Sequence, residues 1–341
     1  MSVRKYLLEI NGGLDSIRRV KRFKNILLVV DPSTCNESHF ERALAFASGD
    51  DARITLATTV SNGQHAGIPK KWVGKQREIL SSLVRPLETP NLKIDTRVLV
   101  GRAFSEIILD VIENRRDLVV KPVEPRKPGY KLFAGTDSKL LRKCPCPVLL
   151  IRAKGSDRFR SIVAAIDIEP ENSENVPLNN EILKIASFVV SRESAEFHIV
   201  HAWVLQHENY LRSSRTGLST AEVDLIVQAE GAKRGEIISA LIDANCADPF
   251  NEAKHMCPQV HLGNGPARAE IPKCLREVKA DLIVMGTVGR TGVPGLFIGN
   301  TAEDILNQID CSVLAIKPAG FVSPVAAKIA DTQQAQVRRI G

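Results

Sequence analysis

The residues best placed to do chemistry are glycines. Gly286-Thr287-Val288-Gly289-Arg290 opens a loop that closes at Gly299-Asn300-Thr301. Glycines let backbone N–H groups approach an anion, and a helix start adds unpaired donors and the positive end of its dipole. The spacing is Gly286-x2-Gly289-x9-Gly299-Asn300. No Lys-Ser/Thr pair follows the last glycine, so this is not a Walker-type loop, and G-x-G-x-x-G is absent. Asn300 suits an N-cap, and Glu303 three residues on completes a capping-box pattern. The bland reading of such a stretch is an ordinary turn. The flanking segments favour an anion cradle instead.

Other constellations are weaker. His198 and His201 lie three apart on an expected strand, point to opposite faces and cannot share a metal. They read as core or rim histidines. His255, Cys257 and His261 share parity, but an extended strand separates the outer two by roughly 20 Å, so one ion cannot take all three. No metal site is expected. No G-x-S-x-G elbow or comparable signature marks a nucleophile, so no catalytic residue is assigned.

The elements that position the loop follow from apolar periodicity. Asp281 to Met285 is an apolar, β-branched run that reads as a buried parallel strand, and Thr301 to Ile309 has helical spacing. Earlier in the chain, strands are expected at Lys24–Asp31, Ala52–Val60, Ile94–Gly101, Asp117–Val120 and Val148–Arg152. Helices are expected over Asn36–Phe46, Trp72–Leu87, Phe104–Asn114 and Thr136–Lys143. The pattern then restarts. Ser161–Asp167 repeats the first strand, acidic end included. Leu178–Val190 is its helix, Glu196–Val204 the second strand, and Ser219–Ala244 a long helix. Val260–Gly263 matches Val98–Gly101, Ile271–Val278 is a helix, Asp281–Val284 matches Asp117–Val120, and Cys311–Pro318 matches Cys146–Ala153. Motif pairs in the same order indicate an internal duplication.

Strands alternating with helices give an α/β fold. Each repeat is expected to be a doubly wound, parallel five-stranded sheet of flavodoxin-like order 3-2-1-4-5. That order opens a crevice at the carboxyl ends of strands 1 and 4. Asp167 and Gly286 meet there, an acid beside an anion-binding loop. The expected boundaries are 1–153 for the first domain, 159–320 for the second and 321–341 for a tail, with 153–157 as linker.

The glycine spacing resembles the ATP-binding signature of the universal stress protein family, G-x2-G-x9-G-(Ser/Thr). The likeness covers roughly residues 24 to 318 and is closest to the tandem, E-type members, in which two such domains are fused. Asn300 stands where that signature has a hydroxyl residue, with Thr301 next. Backbone donors survive the change, while a side-chain hydroxyl bond to phosphate is not assured. The resemblance implies that Asp167 sits by adenine and ribose, and that His201 lies on a strand whose end lines the adenine pocket. It implies that Gly286, Gly289, Arg290, Gly299, Asn300 and Thr301 hold the phosphates. The cofactor implied is ATP or a related adenine nucleotide. Asp167 could help position Mg²⁺ on it, which the sequence leaves open. The implied role is a cytoplasmic stress-response protein acting by binding and regulation, with protein partners the sequence does not name. The fifth strands, Val148–Arg152 and Val313–Lys317, would pair as a pseudo-dimer within one chain, and a homodimer is left open.

The first repeat lacks the motif. After Val120 come Lys121, Pro122, Glu124 and Pro125, and prolines lack the N–H a phosphate needs. Two rivals stand beside the binding protein. One is a slow ATPase or nucleotidyl transferase. The other gives the first domain a non-nucleotide ligand, drawn by Lys121, Arg126 and Lys127.

Bulk properties agree with a globular chain. The 341 residues are 44% hydrophobic and 25% charged, enough to build two domains with real cores. No apolar stretch approaches bilayer length, and no signal sequence is visible. The net charge of +7 raises nucleic acid, but the densest basic run, Arg18 to Lys24, carries no recognition motif and reads as a solvated segment. Cys144-Pro145-Cys146 is not the C-x-x-C of redox or zinc motifs, and reduced thiols are the simplest account.

Overall fold

The computed structural model describes residues 23–35, 37–47, 52–61, 70–87, 94–123, 135–152, 158–248, 251–287 and 299–326. They divide into two compact units. One is built on Phe159–Gly286, the other on Arg22–Arg158 together with Thr287–Gly341.

The second of these units starts with β1 (Asn25–Val29), α1 (Glu37–Phe46), β2 (Arg53–Val60) and α2 (Lys70–Val84). It continues through β3 (Ile94–Val100), α3 (Ala103–Glu113), β4 (Leu118–Pro122), α4 (Thr136–Lys143) and β5 (Val148–Ile151). The strands lie in the order β5-β4-β1-β2-β3, all parallel, which is the doubly wound order expected. Ile26, Leu27 and Leu28 are consecutive and fully buried, so β1 has core on both faces. Two further elements complete this unit, α9 (Asn300–Leu306) and β12 (Ser312–Ile316). β12 pairs antiparallel with β5, Leu314 opposite Leu149. The fifth strands of the two repeats therefore pair within one chain, as the family resemblance implied, and each covers an edge of the other.

The other unit holds β6 (Ser161–Ala165), α5 (Val176–Glu193), β7 (Glu196–Trp203), α6 (Glu208–Leu211) and α7 (Thr220–Asn245). Then come β8 (Ala247–Asp248), β9 (Asn251–His255), β10 (Gln259–Asn264), α8 (Ala267–Glu277) and β11 (Leu282–Gly286). Its strands run β10-β7-β6-β11, again parallel. Every residue of β6 is buried, as a central parallel strand requires. α7 begins with a full capping box: Ser219 Oγ accepts from Glu222 N–H at 3.3 Å, and the Glu222 carboxylate accepts from Ser219 N–H at 2.8 Å.

Three features depart from the expected elements. The antiparallel pair β8–β9 falls where the sequence, rich in Asn, Asp and Pro, shows no strand pattern. α8 starts at Ala267, four residues before the expected start, because Pro272 is accommodated inside the helix rather than near its end. α9 takes Gly299 as its N-cap, with no side-chain cap bond, so Asn300 is its first residue rather than its cap. The Glu303 carboxylate does not close a capping box. It accepts from Arg142 Nη2 at 2.6 Å, a stronger, charge-assisted partner.

Candidate functional site

β6 and β11 are hydrogen-bonded neighbours, with Ala165 opposite Met285. Asp167 and Gly286 therefore leave the sheet side by side at its carboxyl edge, the crevice of a doubly wound fold. Asn179, buried on α5, clamps the Asp167 backbone. Its Oδ1 accepts from Asp167 N–H at 3.0 Å and its Nδ2 donates to the Asp167 carbonyl at 2.7 Å. The Asp167 carboxylate accepts from Asn175 Nδ2 at 2.9 Å and is partly exposed. His201 reaches the same turn from β7. It is buried, with Nδ1 3.2 Å from the Ile166 carbonyl and 3.5 Å from the Ile168 N–H, so the imidazole bonds the backbone of this turn in either tautomer. Its imidazole thus supports the turn that presents Asp167.

A Cβ at Gly286 would lie 2.8 Å from Leu178 Cδ2 on α5, so the end of that leucine side chain would have to turn aside to admit one.

Residues 288–298, including Gly289 and Arg290, lie outside the described residues. Both ends of the loop are described. Thr287 is fully buried, and its Oγ1 donates to the Leu141 carbonyl at 3.2 Å. Lys317, at the end of β12, donates to that carbonyl and to Thr287 Oγ1. Burial pushes the Lys317 ammonium down to about 8, with Cys144 acting weakly the other way. Across the loop, Gly299 N–H donates to the Thr287 carbonyl at 3.2 Å, closing the loop at its base. Asn300 and Thr301 are exposed in the first turn of α9.

The corresponding place in the first repeat is organised otherwise. Lys121 and Pro122 belong to β4. Lys121 Nζ lies 2.9 Å from Asp137 Oδ1, and both side chains are buried. Its charge is therefore spent on Asp137, and the idea that Lys121 draws an anionic ligand is corrected on that ground. Arg126, Lys127, Glu124 and Pro125 lie outside the described residues.

The histidines also find partners. His198 Nδ1 lies 3.2 Å from His261 Nε2, and His198 Nε2 lies 3.7 Å from the Glu196 carboxylate. Burial and then His261 push His198 down, against the pull of Glu196. Among the described residues no three His, Cys, Asp or Glu side chains gather as a metal ligand set.

Sequence reasoning missed Asn179, Thr287 and Lys317. Asn179 left a signal, a polar residue on the buried face of α5 beside Leu178 and Ile182. Lys317 left a weaker one, a cation directly after an apolar strand.

The sequence model of the Universal stress protein family matches residues 22–152 and again 158–317. Universal stress protein E of Photorhabdus laumondii is 27% identical over 320 residues, covering 89% of this chain and 98% of its own length. Universal stress protein E of Escherichia coli K12 is 25% identical over 317 residues, covering 89% and 96%. Among solved structures, a putative universal stress protein of Pseudomonas aeruginosa UCBPP-PA14 superposes with a TM-score of 0.68 at 23% identity, covering 92% of this chain and 97% of that one.

Proposed function

This chain belongs to the universal stress protein family, as a tandem, E-type member, and from that premise we propose that its second repeat binds ATP or a related adenine nucleotide. Family membership carries a role in the stress response. The observation that supports the nucleotide is the loop base: Gly299 N–H closes on Thr287, and α9 starts there without a side-chain cap. Among the described residues no side chain caps its first amides, and a phosphate is suited to them. Asp167, fixed by Asn179 through two backbone bonds, is the acidic group that the family resemblance assigns to adenine and ribose. It suits a ribose hydroxyl, or a water of Mg²⁺ if the metal accompanies the triphosphate. Gly289 and Arg290 are assigned to the phosphates by the spacing alone. His201 is assigned a supporting role through Ile166.

The protein acts in this reading as a nucleotide-binding regulator in the cytoplasm. No helix among the described residues is long and apolar enough to cross a membrane. Native mass spectrometry of the full chain as purified tests the ligand directly. The expected spectrum shows an adenine nucleotide carried at one per chain, or acquired when ATP is added. A spectrum of bare protein with and without ATP would defeat the proposal.

A further inference from the structure

A second site lies at the other end of the first repeat's sheet, where β1, β2 and β3 begin. A polar cavity of about 500 Å³ opens there, lined by Arg53, Arg97, Arg116, Asp95 and Thr55, among others. That volume falls within the range of roughly 300–1,000 Å³ usual for small-molecule sites. The lining is polar almost throughout, which excludes an apolar ligand.

The floor is a built network. Asp110 of α3 is buried and accepts from Arg97 Nη1 at 2.5 Å and Arg116 Nε at 2.9 Å. Arg116 is buried too, and its Nη1 donates to Asn25 Oδ1 and Thr55 Oγ1, each at 2.7 Å. The guanidinium plane of Arg116 is thereby locked by three acceptors. Arg97 is anchored through one nitrogen only and leaves its side chain 45% exposed, with further donors facing the cavity. Arg53, also exposed, has no ion pair among the described residues. Three guanidiniums face two carboxylates, so the cavity keeps a net positive charge. Register explains the convergence. Thr55 pairs with Asp95 and Ala57 with Arg97, so Arg53, Thr55, Asp95 and Arg97 share one face of the sheet.

We propose that this cavity binds a phosphate monoester carried on a hydroxylated body, such as a sugar phosphate. Arg53 and Arg97 take the phosphate, since a guanidinium fork matches its oxygens bidentately. Asp95 on the lining, exposed beside them, accepts from hydroxyl groups. The site lies in the repeat that lacks the glycine loop and does not depend on the nucleotide reading.

Isothermal titration of the full chain at fixed ionic strength tests it, with ATP saturating throughout so that the other site is silent. The probes are glucose 6-phosphate, inorganic phosphate and glucose. Glucose 6-phosphate should bind saturably with a Kd near or below about 1 mM. Inorganic phosphate should bind more weakly and glucose not at all. Arg53→Ala should weaken glucose 6-phosphate about tenfold or more. Its urea unfolding curve should superimpose on that of wild type, because Arg53 supports nothing in the network. No saturable heat up to about 10 mM, or an unchanged affinity in Arg53→Ala, would overturn the proposal. Glucose 6-phosphate binding no tighter than inorganic phosphate would overturn the assignment to a hydroxylated ester.

Discussion

Lys317→Met should change stability by an amount that depends on pH. In the folded protein the ammonium is buried against Leu141 and Thr287, and its pKa falls from 10.5 to about 8. The unfolded chain keeps its proton up to the ordinary value. Between about pH 8 and pH 10.5 the unfolded state therefore binds more protons, and this lysine makes stability rise with pH. Below about pH 8 both states are charged and the full cost of burying the cation is present. The gap between 10.5 and about 8, at 1.36 kcal/mol for each pH unit, makes that cost about 3 kcal/mol. About 2 kcal/mol of it is relieved between pH 7 and pH 9.5. Wild type alone will not display this, because buried thiols pull the other way. Burial pushes Cys35 and Cys274 up to about 11 and Cys246 to about 12, so the folded state there holds the extra protons. Those contributions cancel in the difference between variant and wild type. Urea unfolding of both proteins at about pH 7 and about pH 9.5 gives that difference. The variant should lose about 2 kcal/mol relative to wild type on going to the higher pH. A difference that stays constant would refute a charged, desolvated Lys317. The same variant removes one of the partners of Thr287 at the base of the loop, so its affinity for ATP should also fall several-fold.

Asn179→Ala leaves the Asp167 N–H and carbonyl without their partner and should cost about 1–3 kcal/mol in urea unfolding, while weakening ATP measured by calorimetry. Asp110→Asn leaves Arg116 buried without its counter-charge and should cost about 3 kcal/mol, read from the same unfolding curves. Of the cysteines, Cys257 is exposed while Cys144, Cys146, Cys246, Cys274 and Cys311 are buried. A thiol reagent under native conditions should modify Cys257 first, and Cys257→Ser should abolish the fast phase. ATP turnover should fall far below the median enzyme rate of about 10 per second, as a binding role expects, and release of ADP near that rate would contradict it.

Much of the fold was legible because the central strands are buried on both faces. Ile26-Leu27-Leu28 and Ile162-Val163 are short apolar runs bounded by polar residues, and their length favours a buried strand over a helix. The repeat was legible for the same reason, since Asp31 and Asp167 end corresponding strands. The pairing of β12 with β5 could be expected only through the family resemblance, because a strand's own pattern does not name its partner. One local reading failed on tertiary grounds. Asn300 has the right type for a cap, but Gly299 takes that place and Arg142 claims Glu303. Lys317 and Thr287 were invisible because they meet across 30 residues, through a carbonyl that no sequence pattern marks.

Calorimetric titration of ATP into three full-length proteins tests the central claim most directly: wild type, Gly299→Val and Asp31→Ala. Gly299 has φ −59° and ψ 137°, a conformation open to valine, so the backbone tolerates the change while a branched side chain crowds the start of α9. Asp31 is the counterpart of Asp167 in the repeat without the glycine loop, and it is exposed. Wild type should bind one ATP per chain. Gly299→Val should weaken it by tenfold or more, about 1.4 kcal/mol, and Asp31→Ala should stay within about twofold. Loss of binding in Asp31→Ala with Gly299→Val unaffected would place the nucleotide in the wrong repeat and contradict the account.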